Sequence, residues 1–540
     1  MKHLLSDEAF RSYLTDGYVV IDPVSLGDDF HDFLYQKAEG IYELVKNAKT
    51  KTPHLDIIGD NLRAQIPLID RLLEDPGVSG ALTSILGEDY VLHPHNFVHR
   101  SGPADQGFHQ DGNLPWNERG HYRSHHPDWA ILFYYPQEVT LLNGPTEILK
   151  GSQYWTTDFE KEDGDWHRGD PIDRTEKRNL LGGDDLQQRD LQLEQEIQSL
   201  GVPDVERLFL TLPKGSAVIC NYDIFHRGSR SLEGQASRYM YKFHFMRTTM
   251  PESAAWDHRN SDLKLEDVRK ELHPVINHIW NWSKGGLSEE KGTTTEIDVD
   301  ELRGALRSPD ESKRIETAYL LAMIQNSEGE DLLFEALEDD LESTRRAGCY
   351  GIKASKAPDI ERLITLTRAE RISTRRMAVY ALGVHVLLNE KEVVAALIER
   401  LKFDEDDLVR SNSAYALGQV VRQARHYASE IIDVLIERLC PGVELNNTEV
   451  ALMPRSTVRQ SIAYALVQAS ANHEFTNQQL GNLIDVGLDD NDRYVQGLTV
   501  EALRMVKELD KQTLDRVLTI LSRTRLSQTP VWIEAANTHV

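Results

Sequence analysis

The feature that most constrains this chain is a short pattern recurring along its C-terminal half, an arginine followed five residues later by a tyrosine. It occurs at Arg314/Tyr319, Arg345/Tyr350, Arg375/Tyr380, Arg410/Tyr415 and Arg459/Tyr464. The surrounding residues are nearly copied, as in Ser343-Thr-Arg-Arg-Ala-Gly-Cys-Tyr-Gly-Ile352 and Ser373-Thr-Arg-Arg-Met-Ala-Val-Tyr-Ala-Leu382, and a degenerate copy runs from Val495 to Leu503. Repeats of roughly 30–50 residues with Ala and Leu at helical intervals describe stacked helix pairs, because one such pair cannot bury its apolar face alone. Small residues let adjacent helices approach. Each arginine is expected to reach acidic residues or carbonyls of the preceding turn, and the tyrosines are expected to be packing elements. An all-α solenoid is therefore predicted over residues 300–540.

That leaves more than half of a 540-residue chain for at least one other core. The texture changes near residue 284, and a small, polar stretch at 285–299 has the composition of a linker. A net charge of -27 argues against nucleic acid and anionic membranes as main partners, since both would be repelled. No apolar run reaches the ~18 residues of a membrane span, and residues Met1 to Phe10 lack a secretory pattern. Three scattered cysteines, Cys220, Cys349 and Cys440, fit free thiols in a cytoplasmic protein better than a disulfide framework.

Residues 1–284 read differently. Helical patterns at Asp7 to Thr15 and Phe30 to Asn47 precede short β-rich runs at 91–99, 129–135, 147–149, 216–220 and 238–245. The last alternates: Tyr239, Tyr241, Phe243 and Phe245 take one face, Arg238, Met240, Lys242 and His244 the other. That describes a strand with an aromatic outer face covered by helices and a polar inner face. Several such strands predict a barrel or sandwich with a polar interior. Residues 156–205, rich in charged and amide side chains, are expected to be an insertion or lid.

Four residues carry the chemistry. In Gly107-Phe-His-Gln-Asp-Gly112, His109 and Asp111 lie two apart, so on an extended segment both point the same way. His226, at the edge of a later strand, is the third candidate ligand. Two imidazoles and a carboxylate on one face of Fe(II) leave the opposite positions open for a chelating 2-oxo acid and O2. Arg238 opens the next strand, and its guanidinium fork suits the distal carboxylate of 2-oxoglutarate.

In this half the chain resembles the phytanoyl-CoA dioxygenase family of Fe(II)/2-oxoglutarate oxygenases over about residues 5–255. The resemblance rests on ordered segments: Phe10-Arg-Ser-Tyr-Leu-Thr-Asp-Gly-Tyr-Val-Val-Ile21, His109-Gln-Asp111, Asn143-Gly-Pro-Thr-Glu-Ile-Leu-Lys-Gly-Ser152, Lys214-Gly-Ser-Ala-Val-Ile219, His226 and Arg238. It implies a double-stranded β-helix (jelly-roll or cupin-like) with flanking helices, iron held by His109, Asp111 and His226, and 2-oxoglutarate held by Arg238. It also implies that Asn96 and Tyr134 line the co-substrate pocket. Gln153 stands where the family has a histidine, and the His226-to-Arg238 interval is about one residue longer than the family's. The C-terminal half resembles HEAT repeats.

The carboxylate of Asp111 favours hydroxylation of a small-molecule C–H bond over halogenation, which needs that position vacated. Trp116, Asn117 and His121 are expected to shape the substrate pocket. His93, His95 and His99, and the cluster His121, His125 and His126, are expected to have packing or solvated roles. His244 is left between touching substrate and a satisfied core position. The competing expectation is an interaction protein whose solenoid binds a protein partner, or a second copy of the chain, beside an inactive or ligand-sensing barrel.

Overall fold

The computed structural model describes residues 3–23, 25–47, 62–111, 124–157, 186–200, 202, 205–260, 262–286, 299–324, 327–440, 457–490 and 492–527. The expected linker therefore lies almost wholly outside the described residues, as do Trp116, Asn117, His121 and residues 158–185 of the expected insertion.

Helix α1 (Asp7–Asp16) starts where Ser6 Oγ accepts from Ala9 N–H, carries Asp7 and Glu8 in its first turn, and stops at Gly17, whose φ of +84° suits glycine. Helix α2 spans Asp28–Asn47. The described residues hold nine strands, β1 (Tyr18–Ile21) between these two helices and, after them, β2 (Val91–Leu92), β3 (Phe97–Arg100), β4 (Trp129–Tyr134), β5 (Thr146–Leu149), β6 (Arg207–Phe209), β7 (Ala217–Asn221), β8 (His226–Gly228) and β9 (Tyr239–Met246). They make two antiparallel sheets. One has the order β1-β7-β4-β9-β2, with β3 also paired to β9, and the other the order β6-β5-β8.

The alternation read in β9 holds. Tyr241 donates its hydroxyl to Leu34 O of α2, and Tyr239 packs on Tyr35 and Tyr42 of the same helix. Lys242 and His244 point the other way, to Asp111. Phe133 of β4 lies 5.4 Å from the ring of His226 in β8, so the two sheets face each other across the candidate site. No strand pair among the described residues joins them, so the predicted barrel is here two open, facing sheets.

One predicted strand is corrected. The run 91–99 is two strands, because residues 93–96 leave the ladder and His95 N–H donates to His93 Nδ1. From the insertion, helix α3 (Leu186–Ser199) packs Leu193 and Ile197 with Phe108 and Phe225, which immediately precede His109 and His226.

The C-terminal half is helical throughout its described residues. The recurring pattern falls on α4 (Glu311–Ile324), α5 (Glu342–Ala354), α6 (Ile372–Leu382), α7 (Asp407–Val421) and α8 (Thr457–Asn472), with the degenerate copy on α9 (Arg493–Arg504). The arginines do what their register requires. Arg345 Nη1 donates to the carbonyls of Asp339 and Asp340 (2.8 and 2.9 Å), Arg375 Nη1 to Ala369 and Glu370 (3.1 and 3.0 Å), and Arg410 Nη1 to Asp404 (2.7 Å). Each guanidinium thus ties its helix to the loop that leads into it and satisfies buried carbonyls.

The tyrosines face the other half of the molecule. Tyr380, Tyr415 and Tyr464 form a file of rings 5.7 and 5.8 Å apart, and Tyr464 meets Trp129 of β4 at 5.1 Å. His125 stacks on Tyr350 at 3.8 Å, and its Nδ1 shares a 2.9 Å hydrogen bond with Tyr319 Oη. Around these rings the buried pair Arg422–Asp128 (3.2 Å) and the bonds from Thr156 N–H to Glu311 and from Asn472 Nδ2 to Thr248 O close a polar seam. The solenoid wraps its own N-terminal half with its tyrosine-bearing helices.

Candidate metal centre

His109 reaches the site from an extended segment whose backbone pairs with His226 in both directions at 2.9 Å, so the two histidines sit side by side at the edge of the smaller sheet. Their rings are 4.4 Å apart. His109 Nδ1 lies 2.8 Å from Gly107 O, and His226 Nδ1 lies 3.0 Å from Ile224 O. A carbonyl only accepts, so each Nδ1 carries a proton, and in the neutral ring Nε2 presents its lone pair. Both point at one carboxylate. Asp111 Oδ1 is 4.0 Å from His109 Nε2 and 3.9 Å from His226 Nε2. All three ligand atoms lie within 4.8 Å of one another.

The electrostatics fit a cation site. Burial, helped by the nearby His109, lowers the His226 pKa to about 3, which keeps the ring a neutral donor. Its Nε2 is buried without a hydrogen-bond partner, a position that asks for a Lewis acid or a water. Burial alone would raise the Asp111 carboxyl, but the Lys242 ammonium, then His226 and the hydrogen bond from His244, outweigh it and hold the group well below the usual carboxylate range. Lys242 Nζ stands 2.7 Å from Oδ1 and 2.5 Å from Oδ2, and His244 Nε2 is 3.3 Å from Oδ2. A neutral His226 with an orphaned Nε2, the Nε2 of His109 beside it and a carboxylate kept ionised together suit a divalent ion of the kind that accepts mixed nitrogen and oxygen ligands.

Arg238 is 3% exposed; its Nε donates to Gly144 O at 2.8 Å and its backbone N–H to Ser101 Oγ. Among the described residues no carboxylate pairs with its guanidinium, and burial pushes its pKa down. A buried guanidinium with no internal carboxylate could accept an external anion.

Two expected pocket residues fall elsewhere. Tyr134 lies on the outer face of β4, its hydroxyl 2.5 Å from His31 Nδ1 of α2; the register Phe133↔Lys242 turns Phe133 to the interior instead. Asn96 is buried in the break between β2 and β3, where Nδ2 donates to Pro94 O, and the pairing Phe97↔Lys242 gives the inward position to Phe97. Lys242 is the site residue to which the sequence reading assigned no role, although the alternation of β9 already faced it inward. His244 takes the satisfied core position: it is buried, with Nδ1 on His95 O and Nε2 3.3 Å from Asp111 Oδ2. Gln153 supports the fold, donating from Nε2 to Leu14 O.

Comparison with known proteins adds the following. Residues 360–440 match the family model for HEAT repeats. No curated protein matches the chain. Similar solved structures include the non-heme alpha-ketoglutarate-dependent carbocyclase SnoK from nogalamycin biosynthesis, at 15% identity over 46% of this chain and 88% of that one with a TM-score of 0.32. EctD from S. alaskensis with bound Fe shares 15% identity over 45% and 77% of the two chains, with a TM-score of 0.31. The non-heme monooxygenase ThoJ in complex with Ni shares 13% over 58% and 100%, with a TM-score of 0.27.

Proposed function

We propose that the chain is an Fe(II)- and 2-oxoglutarate-dependent dioxygenase of the phytanoyl-CoA dioxygenase type, built on a double-stranded β-helix, that hydroxylates a C–H bond of a small molecule. The observation that carries this reading is the convergence of the Nε2 atoms of His109 and His226 on one oxygen of the Asp111 carboxylate, at 4.0 and 3.9 Å, between two facing sheets. His109, Asp111 and His226 would hold the metal. When bound, ferrous iron would activate O2 with two electrons drawn from 2-oxoglutarate, which leaves as succinate and CO2, one oxygen atom going to succinate and the other to the substrate C–H bond.

The chain's own residues do the rest. Arg238 binds the co-substrate's distal carboxylate, and its planar fork fixes the anion's direction as well as its charge. Lys242 and His244 bear on the Asp111 carboxylate and orient it, a supporting role that ligand carboxylates ordinarily require. Phe133, against His226, lines the interior with an apolar wall that keeps water from the reacting centre. Asp111 fills the carboxylate position, which supports hydroxylation rather than halogenation.

The test is formation of succinate from 2-oxoglutarate by the purified chain with Fe(II), ascorbate and a panel of small molecules. Turnover that depends on metal and disappears in His109→Ala supports the reading; undiminished turnover in that variant overturns it.

A further inference from the structure

Helix α9 is the tyrosine-bearing helix that reaches the metal centre's own supports. Tyr494 Oη shares a 2.5 Å hydrogen bond with His95 Nδ1. The backbone carbonyl of His95 accepts from His244 Nδ1 at 3.0 Å, and the opposite nitrogen, His244 Nε2, stands 3.3 Å from Asp111 Oδ2. Four groups in contact thus lead from the solenoid to a metal ligand. The rings agree: His95 lies 5.2 Å from His244 and 5.6 Å from Tyr494. One turn further along α9 the helix backbone is pressed against the same loop, since a β-carbon on Gly497 would stand 2.5 Å from Pro94 Cβ. The loop is anchored on both sides, because β2 and β3 each pair with β9, which carries Lys242 and His244.

From this arrangement we infer that the solenoid is a working part of the metal centre and that Tyr494 is a positioning residue for it. By fixing His95, Tyr494 sets where His244 meets the outer oxygen of Asp111, and so sets how that carboxylate is presented to a divalent ion. The inference rests on the reading of His109, Asp111 and His226 as a metal site. It separates Tyr494 from Tyr319, Tyr350 and Tyr464, whose described ring and hydroxyl contacts in the N-terminal half are with His125, His278 and Trp129.

The experiment is a cobalt(II) titration of the full-length protein, followed by the visible absorption of the bound ion, with folding checked by thermal melting. Tyr494→Phe keeps the ring and removes only the hydroxyl. It is expected to weaken cobalt binding roughly tenfold, as loss of an outer support does at other metal centres, and to alter the absorption band. Gly497→Ala, which wedges helix from loop, should act in the same direction. Tyr415→Phe, in the file between Tyr380 and Tyr464, should leave both affinity and spectrum unchanged. Unchanged affinity and spectrum in Tyr494→Phe would overturn the positioning role while leaving the metal site standing. Equal losses in Tyr415→Phe and Tyr494→Phe would overturn it too, by assigning the effect to the seam as a whole. A wild-type protein that takes up no cobalt would overturn the site and the inference together.

Discussion

Histidines line two regions of this molecule, and the contrast shows what makes an imidazole a ligand. In the candidate metal centre, His109 and His226 spend Nδ1 on backbone carbonyls and turn Nε2 toward each other and Asp111. In the seam between the halves, His125 and His126 use their rings as flat surfaces: His125 lies on Tyr350, and His126 lies on Trp282 at 4.1 Å with the planes 2° apart. His126 Nε2 is also 3.1 Å from His278 Nε2, so one imidazole answers another, and among the described residues no carboxylate joins them in a metal-sized cluster. Each set pairs a buried histidine, His226 or His125, with a partly buried one, His109 or His126. His226 and His125 each leave a buried Nε2 without a hydrogen-bond partner; what differs is the company the ring keeps, a second imidazole and a carboxylate for His226, tyrosine rings for His125.

The comparison can be broken most decisively at the ligands. His109→Ala or His226→Ala should abolish metal uptake and turnover while the protein stays folded, measured by bound metal and by succinate. Next in size is Arg238→Lys, which keeps the charge but loses the fork. The 2-oxoglutarate concentration for half-saturation should rise by roughly 10–100-fold with little change in metal binding. The seam should answer differently. His125→Ala removes a ring stacked on Tyr350 and hydrogen-bonded to Tyr319, and should cost about 2 kcal/mol of stability in a denaturant melt. Cobalt or iron affinity should be retained wherever that variant is folded.

A pH dependence probes the same desolvation. Burial lowers the pKa of His278 in the seam and of His385 in the solenoid to about 4 each, against an unfolded value near 6.5. Between those limits the unfolded chain binds the proton and the folded chain does not. Their contribution to stability is therefore complete above about pH 6.5 and is lost as the pH falls toward 4. Melting curves across that window should shift downward with acid, and His385→Gln should shallow the slope.

Much of this was legible in the sequence, for definable reasons. The Arg–Tyr repeat declared a solenoid because a period survives divergence, and the arginines met the carbonyls their register required. His109 and Asp111 could be paired because they are two residues apart on extended chain, and β9 could be faced correctly because one side of it is polar. Tyr134 could not be faced. Every residue of β4 is buried, so apolar side chains occupy both faces and no alternation marks the inner one. The break at residues 93–96 was hidden in a run that is strand-like on both sides. The seam was invisible in principle, since His125 and Tyr319, or His95 and Tyr494, meet across hundreds of residues with no local pattern to announce them. The same contacts reshape the competing view of a free scaffold, because the aromatic face that a partner could have used is filled by the chain's own N-terminal half.

Whether these side chains form an iron centre is tested most directly by anaerobic titration of the full-length protein with Fe(II) and then 2-oxoglutarate. One ferrous ion should bind per chain, 2-oxoglutarate should bind tightly only afterwards, and Asp111→Ala should bind neither. Wild-type protein that takes up no iron, or an Asp111→Ala variant that takes up as much as wild type, would contradict the account.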